Sequence, residues 1–317
     1  MRNILATLLL FGATLPLHAE ATPAEKLPPG AKVVALDVTP KSATLTGAYA
    51  YAQLVVTAKL DSGDLADVTR LATWAAPAGV KVSAAGQVRP VSDGTGEVTA
   101  SFGGQSVRVP VTVAGFKQAK PVSFVKDVQP VLSKLGCNAG TCHGSAQGKN
   151  GFKLSLRGYD PIYDHRALTD DIEGRRFNRA APDRSLMLLK PTGAVPHVGG
   201  VTMQPGDPYY DLLAQWIADG VKQDLAAPKV ASIELFPKDL TIPLPGMKQQ
   251  FAVVATYVDG SKRDVSAEAF LESSNIETLG VEKTGLVTAL RRGEATVLAR
   301  YDGTYAASTA VIMGTLG

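Results

Sequence analysis

At 317 residues the chain exceeds one ordinary domain and predicts two or three domains of about 100 residues each. Hydrophobic residues at 45% and charged residues at 19% form a globular balance, which excludes a long disordered tail. With 32 Lys and Arg against 29 Asp and Glu, the net charge of +3 comes without a dense basic cluster, which excludes nucleic acid as a partner.

The first element is a targeting pattern. Arg2 supplies positive charge, Ile4 to Leu17 form an apolar run, and small residues follow at Ala19 and Ala21. The run is shorter than the roughly 20 residues a bilayer span needs, so residues 1–21 are expected to be a cleaved signal peptide, cut after Ala19 or Ala21. No other segment is apolar enough to span. The mature chain is thus expected to be exported, periplasmic or at the cell surface, where thiols oxidise.

A repeat follows. Val33-Val34-Ala35-Leu36-Asp37-Val38-Thr39-Pro40 matches Val230-Ala231-Ser232-Ile233-Glu234-Leu235-Phe236-Pro237 at an offset of 197 positions. In the same register Gln53 meets Gln250, Gly63 meets Gly260, Asp67 meets Asp264 and Thr69 meets Ser266. Short runs rich in Val, Thr and Ala alternate apolar with polar residues between Gly, Asp and Pro, the strand-and-turn pattern of a β-sandwich. Leu54, Val56 and Ala58 should face one side, and Asp259-Gly260 marks a hairpin turn. The opening strand ending in Pro, the Ser-Gly or Asp-Gly turn, the following Asp-Val-Thr or Asp-Val-Ser and a late Gly-x-Val resemble the bacterial immunoglobulin-like group 2 domain. The two copies are expected at residues 31–115 and 228–314, with Trp74 and Phe270 as matching aromatics.

Between them, at residues 121–222, the spacing turns helical. Phe124, Val125, Val128, Val131, Leu132 and Leu135 predict a short amphipathic helix that Pro130 kinks or opens, and Tyr209, Tyr210, Leu212, Leu213, Trp216 and Ile217 predict another, with Pro208 in its first turn and Gly220 as its cap. Both cysteines fall in Cys137-Asn138-Ala139-Gly140-Thr141-Cys142-His143, a C-x4-C-H spacing close to the C-x2-C-H of c-type haem attachment. Two thiolates would add to the vinyl groups of one porphyrin edge and His143 would reach the iron as proximal ligand. The alternatives are a Cys137–Cys142 disulfide beside an incidental His, and zinc, which would need a distant fourth ligand.

Gly136 to Ser145, together with Gly151 to Asp160, Arg175-Arg176, Ser185 to Gly193, Pro196-His197 and Trp216-Ile217, resemble the planctomycete-type cytochrome-c-like module, which is commonly flanked by group 2 immunoglobulin-like domains. The resemblance implies a multidomain fold class, two all-β immunoglobulin-like sandwiches flanking a mainly α cytochrome-c-like domain with one covalent haem c. It favours His197 as the distal iron ligand, with Met203, placed before the last helix, as the alternative. Met187 reads as core and His165 as exposed. Arg157, Arg175, Arg176 and Lys190 are candidates to pair with haem propionates, for which a guanidinium is well shaped.

The expected function is then electron transfer, with the sandwiches as spacers or surface-interaction modules and a redox protein or cell-surface component as partner. No enzymatic triad or metal-hydrolase pattern is present. The competing expectation is a non-haem structural or adhesion protein whose cysteines form a disulfide.

Overall fold

The computed structural model describes residues 25–118, 120–170 and 173–314. The targeting pattern at residues 1–21 lies outside the described residues.

Alternation along the strands builds the first sandwich. Its strands are β1 (Val33–Thr39), β2 (Ala43–Thr46), β3 (Ala52–Gln53), β4 (Val55–Leu60), β5 (Leu65–Asp67), β6 (Thr73–Ala75), β7 (Val80–Val82), β8 (Gln87–Pro90), β9 (Gly94–Phe102) and β10 (Gln105–Ala114). In β4 the side chains of Val56, Ala58 and Leu60 are buried while Lys59 is exposed, the period of two that a strand covering a core requires. Three sheets result, ordered β1-β4-β5, β2-β10-β9-β6 and β3-β8-β7. The strand β2 runs parallel to β10, which closes the sandwich edge.

The second copy repeats this arrangement strand for strand. Its strands are β11 (Val230–Phe236), β12 (Leu240–Ile242), β13 (Lys248–Gln250), β14 (Ala252–Tyr257), β15 (Lys262–Asp264), β16 (Phe270–Ser273), β17 (Leu279–Val281), β18 (Leu286–Ala289), β19 (Gly293–Tyr301) and β20 (Thr304–Ile312). The sheets are β11-β14-β15, β12-β20-β19-β16 and β13-β18-β17, and β12 is again parallel to β20. Both opening strands end in a cis X-Pro bond, Thr39-Pro40 and Phe236-Pro237. Gly86 sits at φ +79°, where a Cβ would lie 2.6 Å from the Leu54 carbonyl oxygen, so the turn before β8 can press on β3 only with glycine there.

The intervening segment is a departure from the mainly α domain that its sequence implies. Its helices are α1 (Gln129–Lys134), α2 (Pro161–Thr169), α3 (Glu173–Arg176), α4 (Leu186–Leu189) and α5 (Pro208–Ala218), and the longest has 11 residues. Turns and loops make up most of residues 121–222, and across the described chain strands far outweigh helices, so the fold class is predominantly β. Pro130 stands in the first turn of α1, preceded by a wide turn at Phe124–Val128, and Pro208 opens α5. Phe124, Trp216, Leu213, Ile217, Leu154 and Leu188 form the buried centre of a small separate core.

The two sandwiches are not spaced apart by this segment. Their buried residues belong to one continuous hydrophobic cluster, and the segment lies against both. From α5, Tyr209 Oη donates to the Ala267 carbonyl of the second sandwich (3.0 Å), and Tyr49 Oη of the first donates to the Asp211 carbonyl (3.2 Å). Arg263 Nη1 adds an ion pair to Asp127 (2.6 Å) and a hydrogen bond to the Lys126 carbonyl (3.0 Å). Because this pair is largely screened from solvent, Arg263→Ala should cost about 1–3 kcal/mol. The check is hydrogen exchange, which should quicken at Ser123–Val128 while the β19–β20 hairpin amides keep their protection.

Candidate functional site

Three groups of residues could carry function: the cysteine loop, the contact between sandwiches, and the cleft beside α1.

The cysteine loop follows α1. Gly136 at φ +81° turns the chain, and the Cys137 N–H closes on the Leu132 carbonyl (2.9 Å). The loop then folds on itself: the His143 N–H donates to the Cys137 carbonyl (3.0 Å), and a Cβ on Gly144 would lie 2.0 Å from the Asn138 carbonyl oxygen. Cys137 keeps some exposed surface as a residue, but its thiol is enclosed against the small core, and burial, then the nearby Cys142, push it up to about 12. His143 Nδ1 lies 3.1 Å from the Phe152 carbonyl, its ring packs on the Phe152 ring at 4.6 Å, and Arg176 stacks on Phe152 in turn at 4.1 Å. Burial draws the His143 pKa below its ordinary value, a shift that the Phe152 carbonyl opposes and that His197, Lys190 and Arg176 reinforce as positive neighbours.

These residues do not fit a c-type haem. A porphyrin edge must reach both thiols with the imidazole beneath the iron, whereas here the Cys137 thiol is enclosed and an aromatic–cation stack fills the space against the His143 ring. Met203, the alternative distal ligand, is 3% exposed and packs in the small core. His197 turns Nδ1 to the Gly200 carbonyl (3.0 Å) in its own loop. Among the described residues no three His, Cys, Asp or Glu side chains gather so as to hold a metal ion. The haem c cofactor, the cytochrome reading and the iron-binding and electron-transfer roles that rested on it are therefore withdrawn. Of the arginines assigned to propionates, Arg157 lies at φ +59° facing the second sandwich, close enough for its charge to act on Arg300, and Arg175 is exposed. His165 is not exposed as expected: it is half-buried, edge-on to Phe124 at 5.1 Å with Nε2 2.8 Å from the Val221 carbonyl.

The contact between sandwiches was not anticipated as a site. Asp67 Oδ1 accepts from the Thr69 N–H (2.7 Å) and the Thr69 hydroxyl (2.5 Å) of its own turn, while Oδ2 accepts from the Gln250 N–H of the other copy (2.5 Å). Asp264 does the same in reverse. Its Oδ1 accepts from the Ser266 N–H (2.9 Å) and hydroxyl (2.6 Å), and its Oδ2 from the Gln53 N–H (2.5 Å). Two clasps related by the repeat thus join the copies, each satisfying a buried carboxylate with both local and cross-copy donors. One further contact has no counterpart: Tyr51 Oη donates to Glu268 Oε2 (2.5 Å) and accepts from the Ala267 N–H (2.9 Å), and the position equivalent to Tyr51 is Lys248. Burial raises Asp67 above the usual carboxylate range, against the pull of the Arg70 guanidinium 2.9 Å away and then of the Thr69 and Gln250 donors, and raises Asp264 to about 6 against its Gln53 and Ser266 donors.

The topology and the clasps define the chain as a duplicated β-sandwich protein with an inserted, loop-rich segment. No family model matches the chain, so neither the cytochrome-c-like nor the group 2 immunoglobulin-like resemblance is retained as membership. No curated protein matches either. Solved structures that align with it include domains 4 and 5 of the S-layer protein SbsC, at 16% identity and TM-score 0.24 over 29% of this chain and 55% of that one. Domains 1–6 of the same protein align at 13% and 0.25 over 90% and 28%, and domains 5–6 at 12% and 0.34 over 90% and 99%. The chain therefore spans about half, and then just over a quarter, of the first two. At these TM-scores the likeness carries no argument about what this chain does or binds. Among the described residues no helix is long and apolar enough to cross a membrane.

Proposed function

We propose that this chain is a structural module of an exported, surface-associated protein, a stiff double sandwich braced by its inserted segment, with a Cys137–Cys142 disulfide closing the loop after α1. The observation that carries the reading is the reciprocal clasp, Asp67 to Gln250 and Asp264 to Gln53, which fixes the two copies against each other instead of leaving them on a linker. Residues 1–21, with their leader-like charge and apolar run, support export. Export in turn supports the disulfide, because both cysteines lie in one short loop and an oxidising compartment joins such thiols.

The test is to express the full sequence in a bacterial host, fractionate the cells and weigh the intact product. The expected result is a chain outside the inner membrane that lacks the leader and two hydrogens and leaves no thiol to label. A full-length cytoplasmic chain with two free thiols would overturn the proposal.

A further inference from the structure

We infer that the cleft between the inserted segment and the second sandwich binds an acidic saccharide, a sugar chain bearing carboxylates. The cleft encloses about 340 Å³, within the size range of small-ligand sites. Gln129, Arg157 and Tyr159 line one wall, and Phe270, Arg300 and Tyr305 the other.

Three features specify the ligand. The first is charge. Burial first, and then the nearby Arg157, disfavour the charge of Arg300, which Tyr305 and Glu272 favour; among the described residues neither arginine has a carboxylate within ion-pair distance. Arg300 and Lys134 both lie over the Phe270 ring, at 4.6 and 5.3 Å, so a third cation stands close by. The acidic groups that line the cleft are engaged elsewhere: Glu268 accepts from Tyr51, and Asp302 accepts from the Val230 N–H beside Lys229. A pair of guanidinium forks without an ion-paired carboxylate matches that of a ligand.

The second feature is the buried amide of Gln129. Its Nε2 donates to Asp164 Oδ2 (2.7 Å) and to the Gly158 carbonyl (3.2 Å), which fixes which way the amide points. Its Oε1 is then a buried acceptor with no partner, and buried acceptors seek one. A carboxylate cannot donate to it, but a hydroxyl, or a water ordered by one, can. The third feature is flat apolar surface: Tyr159 is 79% and Tyr305 59% exposed at the mouth, unusual for rings of this size and suited to stacking against the C–H face of a pyranose. A simple polycarboxylate offers only the anion, a neutral sugar only hydroxyls and a face, and an acidic peptide lacks the flat face. A uronate supplies all three.

The inference is independent of the disulfide and of export, and its test uses the full chain in solution. Calorimetry would compare a galacturonate trisaccharide with the neutral galactose trisaccharide, with tricarballylate and with a glutamate tripeptide. The galacturonate is expected to bind and the other three to bind at least about tenfold more weakly. Arg157→Glu and Arg300→Ala should each weaken the galacturonate by about tenfold or more, and so should Tyr159→Ala, whose exposed ring can be removed without disturbing the core. Failure of the galacturonate to bind, equal binding of any comparison ligand, or unchanged binding by Arg157→Glu and Tyr159→Ala would overturn the inference.

Discussion

Asp264→Ala is expected to lower the stability of the chain at pH 7 by about 3 kcal/mol or more, among the largest losses a single substitution here can cause. The carboxylate accepts three hydrogen bonds with its two oxygens: the Ser266 N–H and hydroxyl hold the local turn and the Gln53 N–H crosses to the other copy, while the charge of Glu268 lies near enough to raise its pKa. Truncation leaves these donors buried and unpaired. Asp264→Asn is the informative companion, because it keeps the shape but turns an amide NH2 towards a donor and should therefore lose about 1–3 kcal/mol. The pH dependence separates the two causes. Burial sets the folded pKa at about 6, above the unfolded value of about 3.9, so the folded state binds more protons between these limits. This group's contribution to stability is then fully present below pH 4 and is lost as pH rises through 6. Denaturant unfolding across that window should show the wild-type chain weakening with rising pH more than Asp264→Asn does; parallel profiles would remove Asp264 as the cause.

Trp216→Ala should unfold the inserted segment while leaving the sandwiches intact. Trp216 is fully buried, stacks on Phe124 at 5.4 Å, meets Phe177 edge-on at 5.6 Å, and donates Nε1–H to the Lys222 carbonyl (2.9 Å). Its removal opens a cavity at the centre of the small core, beside the fully buried Phe124, and orphans the Lys222 carbonyl, for a loss of about 3–5 kcal/mol. Because the sandwich core is a separate cluster, calorimetry should resolve an early transition for the segment ahead of the main one. A single cooperative transition shifted as a whole would mean that the segment and sandwiches unfold together.

Much of the β architecture was legible in the sequence because side-chain period and repeat register are local facts. Leu54, Val56 and Ala58 alternate as a strand facing a core must, and all are fully buried. The register even set Gln53 over Gln250 and Asp67 over Asp264, the four residues that form the clasps. What it could not reveal is that each pair crosses between copies, since the donors are backbone N–H groups and leave no mark on residue choice. The cysteine loop failed for the opposite reason. C-x4-C-H is a local pattern, compatible with haem attachment but weaker than C-x2-C-H, and whether two thiols and an imidazole share an open slot depends on Phe152, packed against His143, and Arg176, stacked on Phe152. His165 was misjudged likewise, because its partner, the Val221 carbonyl, lies 56 residues away.

The mirrored bonding of the two copies implies an ancestry and a hazard. A surface whose aspartate binds its own twin's main chain is complementary to itself, so a lone copy, cut free of the other, would offer the same face to any identical molecule. Joined in one polypeptide, the copies meet each other first, at an effective concentration no separate molecule matches. The insert, by touching both, keeps that meeting within the chain and so guards against strings of mispaired neighbours.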